Sequence, residues 1–320
     1  MRIGLIDIDG HNFPNLALMK ISAYHKSIGN FVEWHSHFNG RYDIVYMSKV
    51  FTFTPDYEYY INADVVEKGG VGYSVLINLP DKIDQVQPDY SLYPKFKEAY
   101  GYLTRGCIRN CAWCIVPKKE GKIQPYTDIE DILQGRKSAI LMDNNILSCD
   151  YGISQIEKII KLGVKVDFNQ GLDARLVTPE IANLLSKVKF INNTIRFSCD
   201  SHSVFENIVT AKELLQANDF KGTIFVYVLL TNDINECLSR IMLLDHLDWE
   251  CGFRTYKVKL FAQPYIDFSG KNKVPQWQED MARWVNFKPL FYADNFENYQ
   301  PRKGFYCREY LKNIIYDNSN

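Results

Sequence analysis

Three cysteines close together are the part of this chain best suited to chemistry. They are Cys107, Cys111 and Cys114, spaced Cys-x3-Cys-x2-Cys within the segment AYGYLTRGCIRNCAWCIVPKKEGK. Thiolates this close cannot all face away from one another, so they form one ligand set. A 4Fe-4S cluster usually takes four thiolate ligands, and the next cysteine, Cys149, lies far outside the loop. The spacing therefore predicts a cluster with one iron left open.

A structural zinc site is the alternative for the same thiols. It would need a fourth ligand, such as a distant histidine, and zinc sites favour two Cys-x-x-Cys-like pairs, which this loop lacks. The apolar residues that precede the loop predict a strand over residues 99–106. The cysteines would then follow the carboxyl end of that strand, where α/β proteins carry their chemistry.

The cysteine loop, with Trp113 directly before the third cysteine, resembles the signature of the radical S-adenosylmethionine (SAM) superfamily. The resemblance implies that the open iron chelates the amino and carboxylate groups of SAM. It implies that the reduced cluster cleaves SAM to a 5'-deoxyadenosyl radical, which abstracts hydrogen from a substrate. Trp113 would then lie against the adenine. A flavodoxin- or ferredoxin-type electron donor is the expected partner.

Composition and charge limit the classes of partner that the chain is expected to bind. The chain has 37 basic and 38 acidic residues in 320, so no overall field draws it to nucleic acid or an anionic membrane. No apolar run approaches the roughly 20 residues that span a bilayer, and the start of the chain carries Asp7 and Asp9 where a signal peptide would be apolar. We expect a cytoplasmic protein with no membrane partner. Small-molecule, nucleic-acid and peptide substrates all stay open.

The first part of the chain alternates strand, helix and strand. Strands are predicted at residues 2–8, 31–35 and 43–49, with a helix at 15–29. This pattern predicts a Rossmann-like parallel sheet over residues 1–78, followed by a linker at 79–98 that is rich in proline and acidic residues.

The same layout resembles the cobalamin-binding-like domain of one branch of radical SAM proteins. The run from Asp9 to Pro14, DGHNFP, partly matches that domain's Asp-x-His-x-x-Gly motif through His11, but Pro14 replaces the glycine. The run also fits a plain loop in which Asp9 caps and His11 is solvated. Cobalamin binding is therefore an alternative rather than the expectation.

Strand and helix patterns then alternate regularly along the chain. They predict a partial (βα)6 TIM-like barrel over residues 99–270, the architecture that the resemblance also implies, and an aromatic-rich C-terminal extension over 271–320. The predicted helices include 152–162, 178–188 and 204–217. The predicted strands are residues 99–106, 139–143, 164–168, 194–199, 223–230 and 258–265.

Polar residues follow the second predicted barrel strand, at the run Asp143, Asn144 and Asn145. In the superfamily the end of this strand binds the amino group of SAM, often through a Gly-Gly-Glu motif that is missing here. The resemblance therefore assigns the acceptor role to Asp143 or Asn144. The alternative is that these residues form a turn and cap the next helix.

The third predicted strand ends in a second polar group that includes Asn169, Gln170, Asp173 and Arg175. The planar guanidinium of Arg175 suits the SAM carboxylate, and Asn169 or Gln170 suits the ribose hydroxyls. Alternatively, Asp173 and Arg175 pair with each other. Asp200, after the fourth strand, is a candidate for substrate contact or for capping the next helix.

Together these features predict a radical SAM enzyme of unidentified substrate. A cobalamin-dependent radical SAM methyltransferase is the enzymatic alternative. A non-enzymatic iron-sulfur or zinc binding module is the alternative from another class. Methylthiotransferase activity is disfavoured, because those relatives carry three further cysteines in the amino-terminal domain and this chain has none before Cys107.

Overall fold

The computed structural model describes residues 1–267 and 273–311 and shows the predicted mixed α/β class with parallel sheets. The chain divides into two units. The first holds Met1–Gly101 with Glu130–Lys137, and the second holds Tyr102–Ile129 with the described residues from Ser138 onward. The predicted boundary between barrel and C-terminal extension, at 270 and 271, lies outside the described residues. No helix in the described ranges has both the length and the apolar character needed to cross a membrane.

The first unit is built on one four-stranded sheet with the order β2-β1-β3-β4, in which every neighbouring pair is parallel. Asn15 begins helix α1 because its side chain accepts a hydrogen bond from the Leu18 N–H. The helices and strands of residues 1–101 are β1 (Arg2–Asp7), α1 (Leu16–Ser27), β2 (Phe31–Trp34), β3 (Tyr42–Ser48), β4 (Ala63–Gly69), α2 (Asp81–Asp84), a 3-10 helix (Tyr90–Leu92) and β5 (Ala99–Gly101).

Two features of this unit differ from the sequence prediction. Strand β4 was not predicted, because it lies at the sheet edge and exposes Val65 and Val66 among charged residues, so it has no buried face to reveal it. The segment predicted as a linker contributes Ile83, Leu92 and Tyr93 to the core cluster around α1. This segment is therefore packed onto the first unit.

The second unit begins with the cysteine segment and continues through alternating strands and helices. Its elements are β6 (Thr104–Arg105), α3 (Val116–Lys119), β7 (Gln124–Pro125), α4 (Ile129–Leu133, which runs into the first unit), β8 (Ser138–Leu141), α5 (Asp150–Leu162), β9 (Lys165–Phe168), α6 (Pro179–Ser186), β10 (Lys189–Phe190), β11 (Thr194–Cys199), α7 (Phe205–Ala217), β12 (Thr223–Leu230), α8 (Ile234–His246), β13 (Trp249–Glu250), β14 (Phe253–Arg254), β15 (Val258–Pro264), α9 (Gln276–Asn286) and α10 (Lys288–Ala293). Short 3-10 helices lie at Ile146–Ser148, Ala174–Leu176, Ile191–Asn193, His202–Val204 and Phe296–Asn298.

The second unit is built from two groups of parallel strands. Strands β8, β9 and β10 are neighbours, and β11, β12 and β15 form a second parallel group. A parallel bridge between Leu172 and Phe197 links the chain after β9 to β11. Because the strands are parallel, the loops after β8, β9 and β11 leave from equivalent strand ends. The polar residues singled out in the sequence follow these three ends.

The aromatic residues of the C-terminal segment pack on one another. The rings of Trp284 and Phe291 have centroids 4.8 Å apart, and those of Trp284 and Phe296 are 5.4 Å apart. All three side chains are buried, and α9 is joined to β15 by two hydrogen bonds between the Asn286 side chain and the Ala262 backbone. These residues therefore form a core against β15.

Candidate functional site

The start of the cysteine segment is held by the buried carboxylate of Asp143. It accepts hydrogen bonds from the Leu103 N–H at 3.2 Å and from the backbone N–H and hydroxyl of Thr104, the latter at 2.7 Å. These bonds turn the chain, so the predicted strand 99–106 breaks after Gly101. Burial raises the pKa of Asp143 to about 6. In the structure Asp143 positions the loop, and its assignment as acceptor for the SAM amino group stays a prediction.

Glu120 closes the other side of the segment. Its Oε2 accepts hydrogen bonds from the Gly106 N–H at 2.9 Å and from Asn144 Nδ2 at 2.8 Å, and its Oε1 pairs with Arg105 at 2.8 Å. The antiparallel pair β6 and β7 joins the same two arms. The loop that carries the cysteines is therefore fixed at its base, and the Asn144 amide is one of the groups that fix it.

Gly106 is required at this base, and its substitution gives a first test. Its φ is +83°, and an added Cβ would lie 2.3 Å from the Lys122 carbonyl oxygen. We expect Gly106→Ala to lower the free energy of unfolding by about 2 kcal/mol or more, from backbone strain and this clash. Chemical denaturation followed by circular dichroism measures it. Gly121→Ala is the matched control, because Gly121 also has a positive φ, +74°, but nothing within 4 Å. Equal losses in both variants would contradict the clash.

The three cysteine thiols share one environment. Cys107 Sγ accepts hydrogen bonds from the Arg109 N–H at 3.3 Å and Asn145 Nδ2 at 3.5 Å. Burial raises the pKa of Cys111 and of Cys114, and the Cys107 thiolate raises both further. Within residues 1–267 and 273–311, no three His, Cys, Asp or Glu side chains are grouped so that they could hold a metal ion. The thiols are thus electrostatically coupled.

Asp173 is the centre of an ionic network beside these thiols. It accepts hydrogen bonds from Arg109 Nε at 3.0 Å, Arg175 Nε at 2.6 Å and Asn145 Nδ2 at 3.3 Å. Burial alone would raise the pKa of Asp173, but the bonds from Arg175 and Arg109 hold it below its ordinary value. The structure therefore shows the pairing that was the alternative for Asp173 and Arg175. Arg175 keeps 33% of its side chain exposed, and its charge acts on Cys111.

Asn145 is the residue whose importance the sequence did not reveal. Its side chain is buried, with 3% of the residue exposed. The amide nitrogen points to Cys107 and Asp173, whereas Oδ1 is a buried oxygen with no hydrogen-bond partner among the described residues. A buried acceptor without a partner is costly. Its only signal in the sequence is its place in the polar run after β8, the second predicted barrel strand.

Trp113 and Asp200 meet across the site. The Trp113 side chain and the charges of Arg240 and Arg175 act to lower the pKa of the Asp200 carboxyl. Burial nevertheless raises the pKa of Asp200 above its ordinary value. The capping alternative for Asp200 is wrong, because Val204 occupies the N-cap position of α7 and no side chain caps that helix. The structure thus brings Trp113, the cysteines and the end of β11 together.

Asn169 and Gln170 follow β9 and make backbone contacts with neighbouring strands. The Asn169 carbonyl accepts a hydrogen bond from the Tyr227 hydroxyl at 2.9 Å, and the Gln170 carbonyl accepts one from Ser198 at 3.3 Å. Asn169 is half-buried and Gln170 is exposed. Their assignment to the ribose hydroxyls stays a prediction.

In the first unit, the short motif around His11 is engaged locally. Asp9 accepts hydrogen bonds from the Val50 N–H at 2.5 Å and the Thr54 hydroxyl at 2.6 Å. The His11 ring stacks on Trp34 with centroids 4.2 Å apart. These contacts give Asp9 a structural role in joining two loops and place one face of His11 against an indole.

No protein-family model matches this chain, and no curated protein matches it either. Function is therefore inferred from the chemistry of the site itself. A set of three coupled thiols, cationic side chains and a buried acceptor is suited to holding a metal cluster next to a polar ligand.

Proposed function

We propose that this chain is a radical SAM enzyme that binds one 4Fe-4S cluster through Cys107, Cys111 and Cys114. The proposal includes a partial (βα)6 barrel preceded by a Rossmann-like domain. The observation that carries it is the cysteine loop, fixed at its base by Asp143 and Glu120 beside the ends of parallel strands. The consecutive order of β8, β9, β11, β12 and β15 supports the barrel.

The residues of the site suit both an iron-sulfur cluster and a bound SAM molecule. The donor set has three thiols, which suits an iron-sulfur cluster with one iron free for a ligand. The buried Oδ1 of Asn145 lacks a donor, and the ammonium group of SAM would provide one. Asn144 would border the same amino group, Trp113 the adenine, and Arg175 the carboxylate. When bound, the cluster supplies the electron that cleaves the sulfonium of SAM.

The chain itself positions the cysteine thiols and balances their negative charge. Asp143 and Glu120 hold the two arms of the loop, so the thiols keep a fixed approach. The charge of Arg175 favours the anionic, metal-binding form of Cys111 against the burial that raises its pKa, and the Arg109 backbone N–H donates to Cys107 Sγ. A flavodoxin- or ferredoxin-type protein is the proposed electron donor, and hydrogen abstraction from an inert carbon of the substrate is the proposed outcome.

The test is anaerobic reconstitution with iron and sulfide, followed by dithionite, SAM and an assay for 5'-deoxyadenosine. We expect product from the wild type and none from Cys111→Ala, since the remaining two thiols hold the cluster poorly. Cys251→Ala is the matched control, because Cys251 is an exposed cysteine outside the motif, and it should retain the wild-type yield.

Three other results would replace the proposal. A fully loaded cluster that gives no 5'-deoxyadenosine with SAM would indicate a non-enzymatic iron-sulfur module. Stoichiometric zinc with no uptake of iron and sulfide would indicate a zinc module. Cobalamin that co-purifies or binds on reconstitution would indicate the cobalamin-dependent methyltransferase.

A further inference from the structure

The side-chain amide of Asn145 reaches a cysteine sulfur from outside the cysteine loop. Asn145 Nδ2 lies 3.5 Å from Cys107 Sγ, and the backbone N–H of Arg109 donates to the same sulfur at 3.3 Å. The Arg109 donor belongs to the loop backbone, and only a proline, which would also restrain the loop, would remove it. The Asn145 donor belongs to a side chain, so it can be changed while the cysteine loop keeps its own sequence.

The orientation of this amide is fixed by its second partner. Asn145 Nδ2 also lies 3.3 Å from Asp173 Oδ2, and an ionised carboxylate only accepts hydrogen bonds. The nitrogen must therefore face Asp173, which brings it to Cys107 as well. Asp173 is in turn held by Arg109 and Arg175 at 3.0 Å and 2.6 Å. With 3% of Asn145 exposed, the donor is preorganised and shielded from water.

On the basis of the proposed function, we propose that Asn145 raises the reduction potential of the cluster by donating an N–H···S hydrogen bond to Cys107. A hydrogen bond to a ligand sulfur stabilises the reduced cluster, which carries more negative charge, over the oxidised one. Asn145 is thus a positioning residue that acts through a cluster ligand. Its amide makes the reduced state easier to reach by a cellular electron donor.

The experiment is a redox titration of reconstituted wild type and Asn145→Leu, without SAM, followed by electron paramagnetic resonance of the reduced cluster. Leucine has a similar volume and no donor. At a given ambient potential, we expect the ratio of reduced to oxidised cluster to fall about tenfold, which is about 59 mV for one electron. Asn145→Ala provides a second variant in case leucine impairs folding.

Asn144→Leu is the matched control. Asn144 is the neighbouring residue, and its amide donates to Glu120 at the base of the loop at 2.8 Å and not to a sulfur, so its variant measures the effect of a general disturbance of the loop, and we expect a much smaller shift than in the Asn145 variants. An equal shift in the Asn144 variant would overturn the inference, because a general disturbance of the loop would then be the cause.

The outcomes also separate this inference from the proposed function. A cluster that loads in both Asn145 variants with an unmoved midpoint overturns the inference and leaves the proposed function in place. Loss of cluster content without a change of potential shows a purely structural role and overturns it too. If the wild type takes up no cluster at all, the proposed function and the inference fail together.

Discussion

Replacing Arg240 with methionine is expected to lower the free energy of unfolding by about 3–5 kcal/mol, the range for breaking a buried ion pair from one side. Arg240 is fully buried. It pairs with Glu236 at 2.8 Å and donates to the carbonyls of Cys199 at 2.5 Å and Leu229 at 2.8 Å, at the ends of β11 and β12. Methionine would leave the Glu236 charge and two carbonyls without this partner. Urea unfolding followed by circular dichroism measures the loss.

Two further variants identify the cause of this loss. Arg41→Met removes a cation whose side chain is 69% exposed and paired with Asp64, so we expect no measurable change. The double variant Arg240→Met with Glu236→Leu removes both charges and should recover part of the stability. If the double variant is as unstable as the sum of the two single variants, the buried charge is not the cause.

The sequence predicted best the elements with a strong apolar period. Strand β12 alternates half-buried and buried residues along its whole length, and its predicted bounds, 223–230, are those observed. The predicted end of strand 99–106 was wrong: the strand ends at Gly101, and the residues that follow are held by the Asp143 carboxylate, about 40 residues further along the chain. Local periodicity carries no information about such a contact. The edge strand β4 was missed for a different reason: it has almost no buried surface, so its sequence shows no alternation of apolar and polar residues.

The candidate site shows the same limit at the level of single side chains. Residue type and strand position were enough to single out Asp143, Asn144 and Arg175 as polar groups near the cysteines. Whether a polar group faces a ligand or the protein depends on partners distant in sequence. Asp143 holds Thr104 and Asn144 holds Glu120, whereas the unassigned Asn145 keeps an unpaired oxygen. Only the hydrogen bonds in the folded structure distinguish Asn145 from its two neighbours in the sequence.

Asp143→Asn is expected to change how stability depends on pH. Burial raises the pKa of Asp143 in the folded protein to about 6 from 3.8, so the folded state binds this proton more tightly than the unfolded state. A group whose pKa is higher in the folded state stabilises the fold most at pH values below its pKa in the unfolded state. This contribution is lost as the pH rises through about 6. At about 1.4 kcal/mol per pKa unit, the change is on the order of 3 kcal/mol.

The measurement is the difference in unfolding free energy between wild type and Asp143→Asn at a series of pH values from 3.5 to 7.5, on the cluster-free protein. The other titrating groups are common to both proteins and cancel in this difference. We expect the wild type to lose stability relative to the variant between about pH 4 and pH 6. A difference that is constant with pH would show that Asp143 has the same pKa in the folded and unfolded states, because its bonds to Leu103 and Thr104 then offset the burial of its charge.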